Sequence, residues 1–427
     1  MLIEKTEIPP RGWNSFDCYM GGITEEQALA NLEIFLKKLK PHGYEYFCLD
    51  AGWYADGDQK LHEQRIAAGQ FRTLNLDEFG RYIPSPVNFP HGLRALADRC
   101  HENGIKFGLH MMRGLPLGAV ERNTPVKDTP YHARDIYDPD GACSWCQYWV
   151  AAKADHPGTP AFYKSEVEYL TEELEVDFIK LDDVVEHPDH AALFGEAVAS
   201  VPRPVLLSLS PGGECCRENW ETLEKYGNMV RITSDAWDHD DTNLQKLQRW
   251  YEFQDLSSDS LRADLDMLPL GALQVTTDIR QSRLTPRGKR VMMTIMALSG
   301  SPLIFGGDRR RILILPRILP FLSATPGVFP AAGFHSSTTS TSADHRTAAT
   351  LRTAGSAFSA RASFRVTSFF LHRILAFPSF PLCASSGAVM RLPRPSTAMR
   401  NFISPHTTWH FSGIEVRPDR YQSKTEH

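Results

Sequence analysis

Apolar residues along this chain fall into short runs separated by amphipathic stretches, and the alternation persists from residue 11 to about residue 307. The first amphipathic stretch sets the pattern. Thr24 and Gln27 have the spacing of a capping box, Leu29, Leu32, Leu36 and Leu39 recur at helical intervals, and Pro41 with Gly43 closes the segment. Apolar runs at Arg11–Ser15, Tyr44–Asp50, Lys106–Met111, Asp177–Asp182, Val205–Ser210, Met229–Thr233, Asp266–Pro269 and Pro302–Gly306 read as strands. Between them Leu93–Asn103, Ala161–Glu175, Ala191–Ser200, Arg217–Tyr226, Thr242–Gln254 and Lys289–Leu298 read as helices. Eight such units in roughly 300 residues predict an α/β fold, a (β/α)8 TIM barrel over residues 9–307.

Barrels of this kind carry their sites at the C-terminal ends of the strands. Those ends present Asp50, His110, Asp182, Ser210, Arg231 with Asp235, and Asp264 with Asp266. Acids crowded on one rim must be solvated, paired or protonated, so stability alone does not account for them. The 46 Lys and Arg against 51 Asp and Glu give a net charge of −5, which offers no basic field for nucleic acid or an anionic membrane. A neutral substrate fits that balance, and nothing in the pattern calls for a cofactor. No apolar stretch is long enough to span a bilayer, and Met1–Glu7 lacks the features of a secretory signal, so the expectation is a cytoplasmic protein. The eight cysteines, including the vicinal Cys215 and Cys216 and the C-x-x-C of Cys143 and Cys146, make a poor disulfide framework and read as reduced thiols.

Two of the acids have the makings of a complementary pair. Lys180 and Asp182 share one strand face by period-two alternation, and the ammonium would keep Asp182 ionised as a nucleophile. Asp235 follows Arg231 at the next-but-one strand end, where the negative Asp182 would favour its protonated form. Two carboxyl groups flanking a sugar, one ionised and one protonated, are what glycoside hydrolysis requires. The bland reading is two solvated acids at strand ends. Trp13 is likewise either a core tryptophan or an apolar wall of the site.

The ordered motifs resemble glycoside hydrolase family 27, the α-galactosidases or melibiases. Pro9-Pro10-Arg11-Gly12-Trp13-Asn14-Ser15-Phe16 is similar to that family's opening, and Gly43-Tyr44-Glu45-Tyr46 with Leu49-Asp50-Ala51-Gly52-Trp53 to its second-strand motif. Lys180-Leu181-Asp182 matches the nucleophile motif, Arg231 and Asp235 the acid/base spacing, and Asp264-Leu265-Asp266-Met267-Leu268 a sugar-binding stretch. The resemblance implies a retaining α-galactosidase-type glycosidase with a carbohydrate substrate, Asp182 as nucleophile and Asp235 as general acid/base. It also implies substrate contacts from Trp13, Asp50, Lys180, Arg231 and Asp266.

The chain departs from the family at the sugar-recognition positions. Ala51 stands where typical members have a second Asp on the galactose 4- or 6-hydroxyl, and His110, grouped with the substrate-binding residues, stands where they have Tyr. Ser210 replaces a Glu that binds the 2-hydroxyl, and Ser210 with Gly213 matches members acting on α-N-acetylgalactosaminides. An acetamido sugar or an arabinopyranose is therefore an alternative substrate to galactose. Two readings of other classes are a non-catalytic sugar-binding barrel and a metal-dependent hydrolase using Asp183, His187 and His190. Pro188 between the two histidines speaks against a helix presenting both on one face; the expectation is no metal.

After Asp308 the composition changes. From Arg309 to Gly413 the only acid is Asp344 and lysine is absent, where the family continues into an antiparallel β-sandwich. Residues 308–427 show neither alternation nor turn chemistry, and they read as out-of-frame translation beginning near codon 309 and restored near Ile414–Pro418. A low-complexity tail is the alternative, against which Phe369, Phe370, Leu371 and Ile374 are unusually apolar. The last barrel helix would then be lost or replaced by Leu313, Ile318, Leu319 and Leu322, and the barrel face that a sandwich covers would be open, so low solubility and loss of activity are expected. Resequencing the locus is expected to show a frame change near codon 309; an intact frame, with peptides recovered from the segment, contradicts it.

Overall fold

The computed structural model describes residues 8–308, except 62–63, 65–73, 142, 144–145, 147, 213–214, 216, 240 and 276, together with short strands at 410–411 and 414–415. The barrel unit contains eight parallel strands: β1 (Arg11–Asn14), β2 (Tyr46–Leu49), β3 (Lys106–Met112), β4 (Phe178–Asp182), β5 (Leu206–Leu209), β6 (Met229–Arg231), β7 (Arg262–Asp264) and β8 (Leu303–Phe305). They lie in the order β7-β6-β5-β4-β3-β2-β1-β8. A parallel bridge between Leu268 and Phe305 closes the sheet, with Leu268 N–H donating to Ile304 at 2.7 Å and Gly306 N–H to Leu268 at 3.0 Å. The seventh strand is thus shifted from its expected place. Arg262–Asp264 pairs with β6, and the expected Asp266–Pro269 supplies only the closing bridge, because Asp266 turns the chain at a positive φ of 67°.

The longer helices among the described residues are α1 (Glu25–Lys38), α2 (Arg94–Glu102), α3 (Gly158–Glu168), α4 (Pro188–Ser200), α5 (Trp220–Tyr226), α6 (Thr242–Phe253) and α7 (Pro286–Ser299), with a short turn of helix at Phe16–Tyr19 after β1. The capping box of α1 is formed as its spacing predicts, with Thr24 Oγ1 accepting from Gln27 N–H and Gln27 Oε1 from Thr24 N–H. Of the expected leucines Leu32 and Leu39 are buried, with Ala28 and Phe35 completing the face, while Leu29 and Leu36 are only partly buried. Pro188 does not exclude a helix. It opens α4 at the first position, where the missing N–H costs nothing and the fixed φ suits the turn. The helix expected after β8 lies outside the described residues, as do Leu313, Ile318, Leu319 and Leu322, the frame-change segment, Gly213 and Cys216. In the second unit, Ile414–Glu415 pairs antiparallel with His410–Phe411.

Burial on both faces explains why the strands read as apolar runs. Inside the barrel the side chains change character with height. Tyr46, Phe178, Leu206 and Met229 form an apolar layer, and Cys48, Lys180, Ser208 and Arg231 stand two residues further along the same strands. Asp50, Asp182 and Ser210 follow two residues beyond that, at the rim. Outside, Trp13 stacks on Phe47 at 4.6 Å and Phe47 meets Phe35 of α1 edge-on at 5.8 Å. The described cysteines are free thiols, and among the described residues no helix is long and apolar enough to cross a membrane.

Gly52 holds the turn that follows Asp50. Its φ is +92°, and a Cβ there would lie 2.1 Å from the Gly21 carbonyl oxygen. Gly52→Ala is therefore expected to cost about 2–4 kcal/mol of unfolding free energy through backbone strain and overpacking. A urea midpoint unchanged from the parent would contradict this account of the turn.

Candidate active site

Four side chains from adjacent strand ends meet around one ammonium. Lys180, projecting inward from β4, places Nζ 2.9 Å from Asp50 Oδ2 and 3.5 Å from Asp182 Oδ2. Asp50 Oδ2 also accepts from Asn14 Nδ2 at 2.6 Å, and its Oδ1 accepts from Ala51 N–H at 2.8 Å. His110 Nε2 lies 3.1 Å from Asp182 Oδ2. Ligand atoms of Asp50, His110 and Asp182 all lie within 4.8 Å of one another, a grouping that could hold a metal ion. The Lys180 ammonium already supplies positive charge to it.

The electrostatics separate the two candidate acids. Burial opposes the charge on Asp182, but the Lys180 ammonium, the hydrogen bond from His110 and the Arg231 guanidinium outweigh it and hold the carboxyl well below the usual carboxylate range. Asp50 is held low in the same way, by the Lys180 ammonium and the Ala51 N–H against burial. Asp235 goes in the other direction. Lost solvation comes first, and the charges of Asp266 and Asp182 add to it, against the opposing pull of Arg231 and Lys180. The Asp235 side chain is 62% exposed and receives Arg231 Nη1 at 2.7 Å, so solvent moderates the upward shift.

Arg231 is fixed from below by the Thr233 and Pro211 carbonyls at 3.1 and 3.4 Å. Asp266 Oδ2 accepts from Ala236 N–H at 2.6 Å, and Asp266 N–H donates to Asp264 Oδ1 at 2.9 Å. This couples the turn after β7 to the loop that carries Asp235. Lys246 of α6 caps the turn from beneath, its buried ammonium reaching the carbonyls of Leu265, Asp266 (3.4 Å) and Met267 (3.2 Å). Ser210 is buried, with its N–H on the Leu181 carbonyl at 2.9 Å.

The structure thus gathers Asp50, His110, Lys180, Asp182, Ser210, Arg231, Asp235 and Asp266 at one end of the barrel. Trp13 belongs to the core instead. It is 1% exposed, its indole N–H donates to the Gly307 carbonyl at 3.0 Å, and alternation turns the neighbouring Asn14 toward the site. The half-buried rings at the rim are Phe16 and Trp237, 6.4 Å apart, with Lys180 Nζ 5.8 Å from the Phe16 ring centre. The residues of the metal reading have other partners: Asp183 Oδ2 pairs with Arg113 Nη2 at 2.8 Å, and His190 Nδ1 lies 2.8 Å from the Tyr163 hydroxyl.

Sequence reasoning missed Asn14, Asp17 and Lys246. Asn14 sits inside a quoted motif and was readable as the strand-end neighbour of Trp13. Asp17 is buried beside Gly306, with Oδ2 unpartnered, and burial with the charges of Asp266 and Asp235 pushes it far above the ordinary range. Lys246 had no local signal, since a lysine in mid-helix is ordinarily a solvated one.

No protein-family model matches the chain. Its structure is similar to that of a β-L-arabinopyranosidase of glycoside hydrolase family 27 from Geobacillus stearothermophilus, at 34% identity over 74% of this chain and 75% of that one, with a TM-score of 0.69. The chain belongs to glycoside hydrolase family 27. A candidate α-N-acetylgalactosaminidase from Bacillus halodurans is 31% identical over 75% of this chain and 76% of its own, with a TM-score of 0.64. In sequence, an α-galactosidase of Cyamopsis tetragonoloba is 23% identical over 314 residues. The chain spans 60% of that relative's length and 64% of that of a Coffea arabica α-galactosidase.

Asp264 offers a direct test of the charge distribution in this family 27 site. Burial, with Asp266 alongside, raises its carboxyl to about 7. A raised folded-state value means that the stabilising contribution is complete below the unfolded value and is lost as pH rises through about 7. The melting temperature of Asp264→Asn relative to the parent is therefore expected to climb between pH 4 and 7 and to level off above about pH 8. A difference that does not vary with pH would contradict the shift.

Proposed function

We propose that this chain is a retaining glycoside hydrolase acting on terminal pyranosides of galacto configuration by double displacement. The observation that carries the reading is the opposite poise of two acids on one rim: Asp182 held ionised by Lys180 and His110, Asp235 pushed toward its protonated form. In the first half-reaction Asp182 bonds to the anomeric carbon while the glycosidic bond breaks and the leaving oxygen takes the Asp235 proton. In the second, water gives a proton to Asp235 and displaces Asp182. Asp50, Lys180, Arg231 and Asp266 are positioned to orient ring hydroxyls, and their partners within the protein fix them before a sugar arrives.

For the sugar itself, Ala51 favours a β-L-arabinopyranoside, which is the galacto ring without its C5 hydroxymethyl group. The acid that would hold the missing substituent is replaced by a methyl, and the resemblance to the Geobacillus arabinopyranosidase supports the choice. Ser210 favours a second reading. A small side chain in place of Glu leaves room at the 2-position for an acetamido group, and the Bacillus halodurans relative supports that alternative. A binding-only barrel has no need for acids of opposite poise.

A panel of nitrophenyl β-L-arabinopyranoside, α-galactoside and α-N-acetylgalactosaminide, assayed with and without chelator, tests both levels. Turnover without added metal is expected, fastest on the arabinopyranoside. Asp182→Asn is expected to abolish it, and Asp235→Asn to lower it on these nitrophenyl substrates through slow hydrolysis of the glycosyl-enzyme, and by about 10²–10⁴-fold on an alkyl glycoside with a poor leaving group assayed beside them. Full activity in either variant sinks the role assigned to that residue.

A further inference from the structure

The two oxygens of Asp182 are not equivalent. Oδ2 faces His110 Nε2 at 3.1 Å and Lys180 Nζ at 3.5 Å, while Oδ1 is buried and has no hydrogen-bond partner. His110 is 1% exposed and stands directly opposite Lys180 in the β3–β4 register. Its carbonyl accepts from the Trp53 indole at 2.9 Å, which ties the imidazole-bearing strand end to the turn after β2.

An ionised carboxylate can only accept hydrogen bonds, so the hydrogen between the two groups belongs to Nε2. His110 Nδ1 is buried with no partner. A bare lone pair is tolerable there, whereas a buried N–H without an acceptor would cost about 1–3 kcal/mol. The imidazole is thereby set in one tautomer by its surroundings.

We propose that His110 is the positioning residue of the nucleophile: as the Nε2–H tautomer it holds Asp182 Oδ2, leaving Oδ1 as the atom that attacks the anomeric carbon. The proposal rests on the glycosidase reading for its chemistry, but not for its geometry. As the Oδ1–C1 bond forms and the bond to the leaving oxygen breaks, Oδ2 becomes the carbonyl oxygen of the ester and loses most of its charge. The His110 bond is therefore stronger to the free carboxylate than to the ester. It restrains attack slightly and favours departure of Asp182 when water arrives, so its loss eases the first half-reaction and slows the second.

Charged and titratable groups face Asp182 from every side: Lys180 on its own strand, His110 from β3, Asp50 from the end of β2, and Arg231 and Asp235 from the end of β6. Removing the His110 donor leaves Lys180 and Arg231 to hold the charge, so Asp182 titrates at higher pH. His110→Gln, which keeps an Nε2–H, restores part of the effect where His110→Phe does not.

The test begins with the parent protein. Nitrogen-15 NMR of labelled histidine is expected to show Nε2 protonated and Nδ1 bare; the reverse tautomer overturns the proposal, and this measurement needs neither turnover nor a variant. Carbon-13 NMR of labelled aspartate is expected to place the Asp182 midpoint higher in His110→Phe than in the parent, with His110→Gln between them. In kinetics His110→Phe should lower kcat about 10–100-fold, with a fall in KM as glycosyl-enzyme accumulates and a rise in the pH of the acid limb. Equal midpoints in parent and His110→Phe overturn the positioning role. Absent turnover in the parent with the tautomer and midpoints as stated overturns the glycosidase reading alone.

Discussion

One buried ammonium organises the rim of this barrel. Lys180 lies between Asp50 and Asp182, and its charge is the largest of the influences that oppose the cost of burying both carboxylates. Removing one partner of a buried ion pair strands the other charge, at a cost of about 3–5 kcal/mol. Here the lysine serves two acids, so its loss would bring two carboxylates together with only Arg231, acting on Asp182, as a counter-charge. Protonation of one of them would relieve the repulsion, and protonation of Asp182 would remove the nucleophile. Stability and chemistry therefore depend on the same contact.

That contact also explains why the rim tolerates other acids. Positive charge is concentrated on Lys180 and Arg231, and each acid is shifted down or up by the balance between that charge, its own burial and the neighbouring acids. Asp50 and Asp182 are held low. Asp17 and Asp264, buried and facing other acids more than cations, go high. Asp235 lies between these regimes, paired with Arg231 yet crowded by Asp266 and Asp182, and its poise near protonation is the balance of the two. The upward shift of Asp17 accompanies the packing of a buried acid against Gly306, where a Cβ would collide with it.

Much of this was legible in the sequence because barrel strands alternate. Lys180 and Asp182 had to share a face, and residues 46, 48 and 50 had to point inward together. Spacing carried Arg231 and Asp235 equally well. What the sequence could not show was contact between elements far apart in the chain. The turn at Asp266 interrupts an apolar run that otherwise reads as strand, so the seventh strand was displaced by four residues at its start, from Arg262 to Asp266. Trp13 was ambiguous because one residue of register decides between core and site. Lys246 was invisible for a related reason: only tertiary packing brings its ammonium to the carbonyls of Leu265, Asp266 and Met267.

The change of composition after Asp308 bears on the site through the last residues before it. Trp13 donates to the Gly307 carbonyl, the Tyr19 hydroxyl donates to Asp308 Oδ2 at 3.0 Å, and Asp308 N–H reaches the Ala272 carbonyl at 2.8 Å. These bonds tie the end of β8 to the first helical turn after β1 and to the segment after β7. The Leu268 bridge closes the sheet immediately beside them. Every side chain assigned a role in the chemistry is thus held by partners at or before residue 308. Geometry at the rim therefore follows from contacts already complete at Asp308.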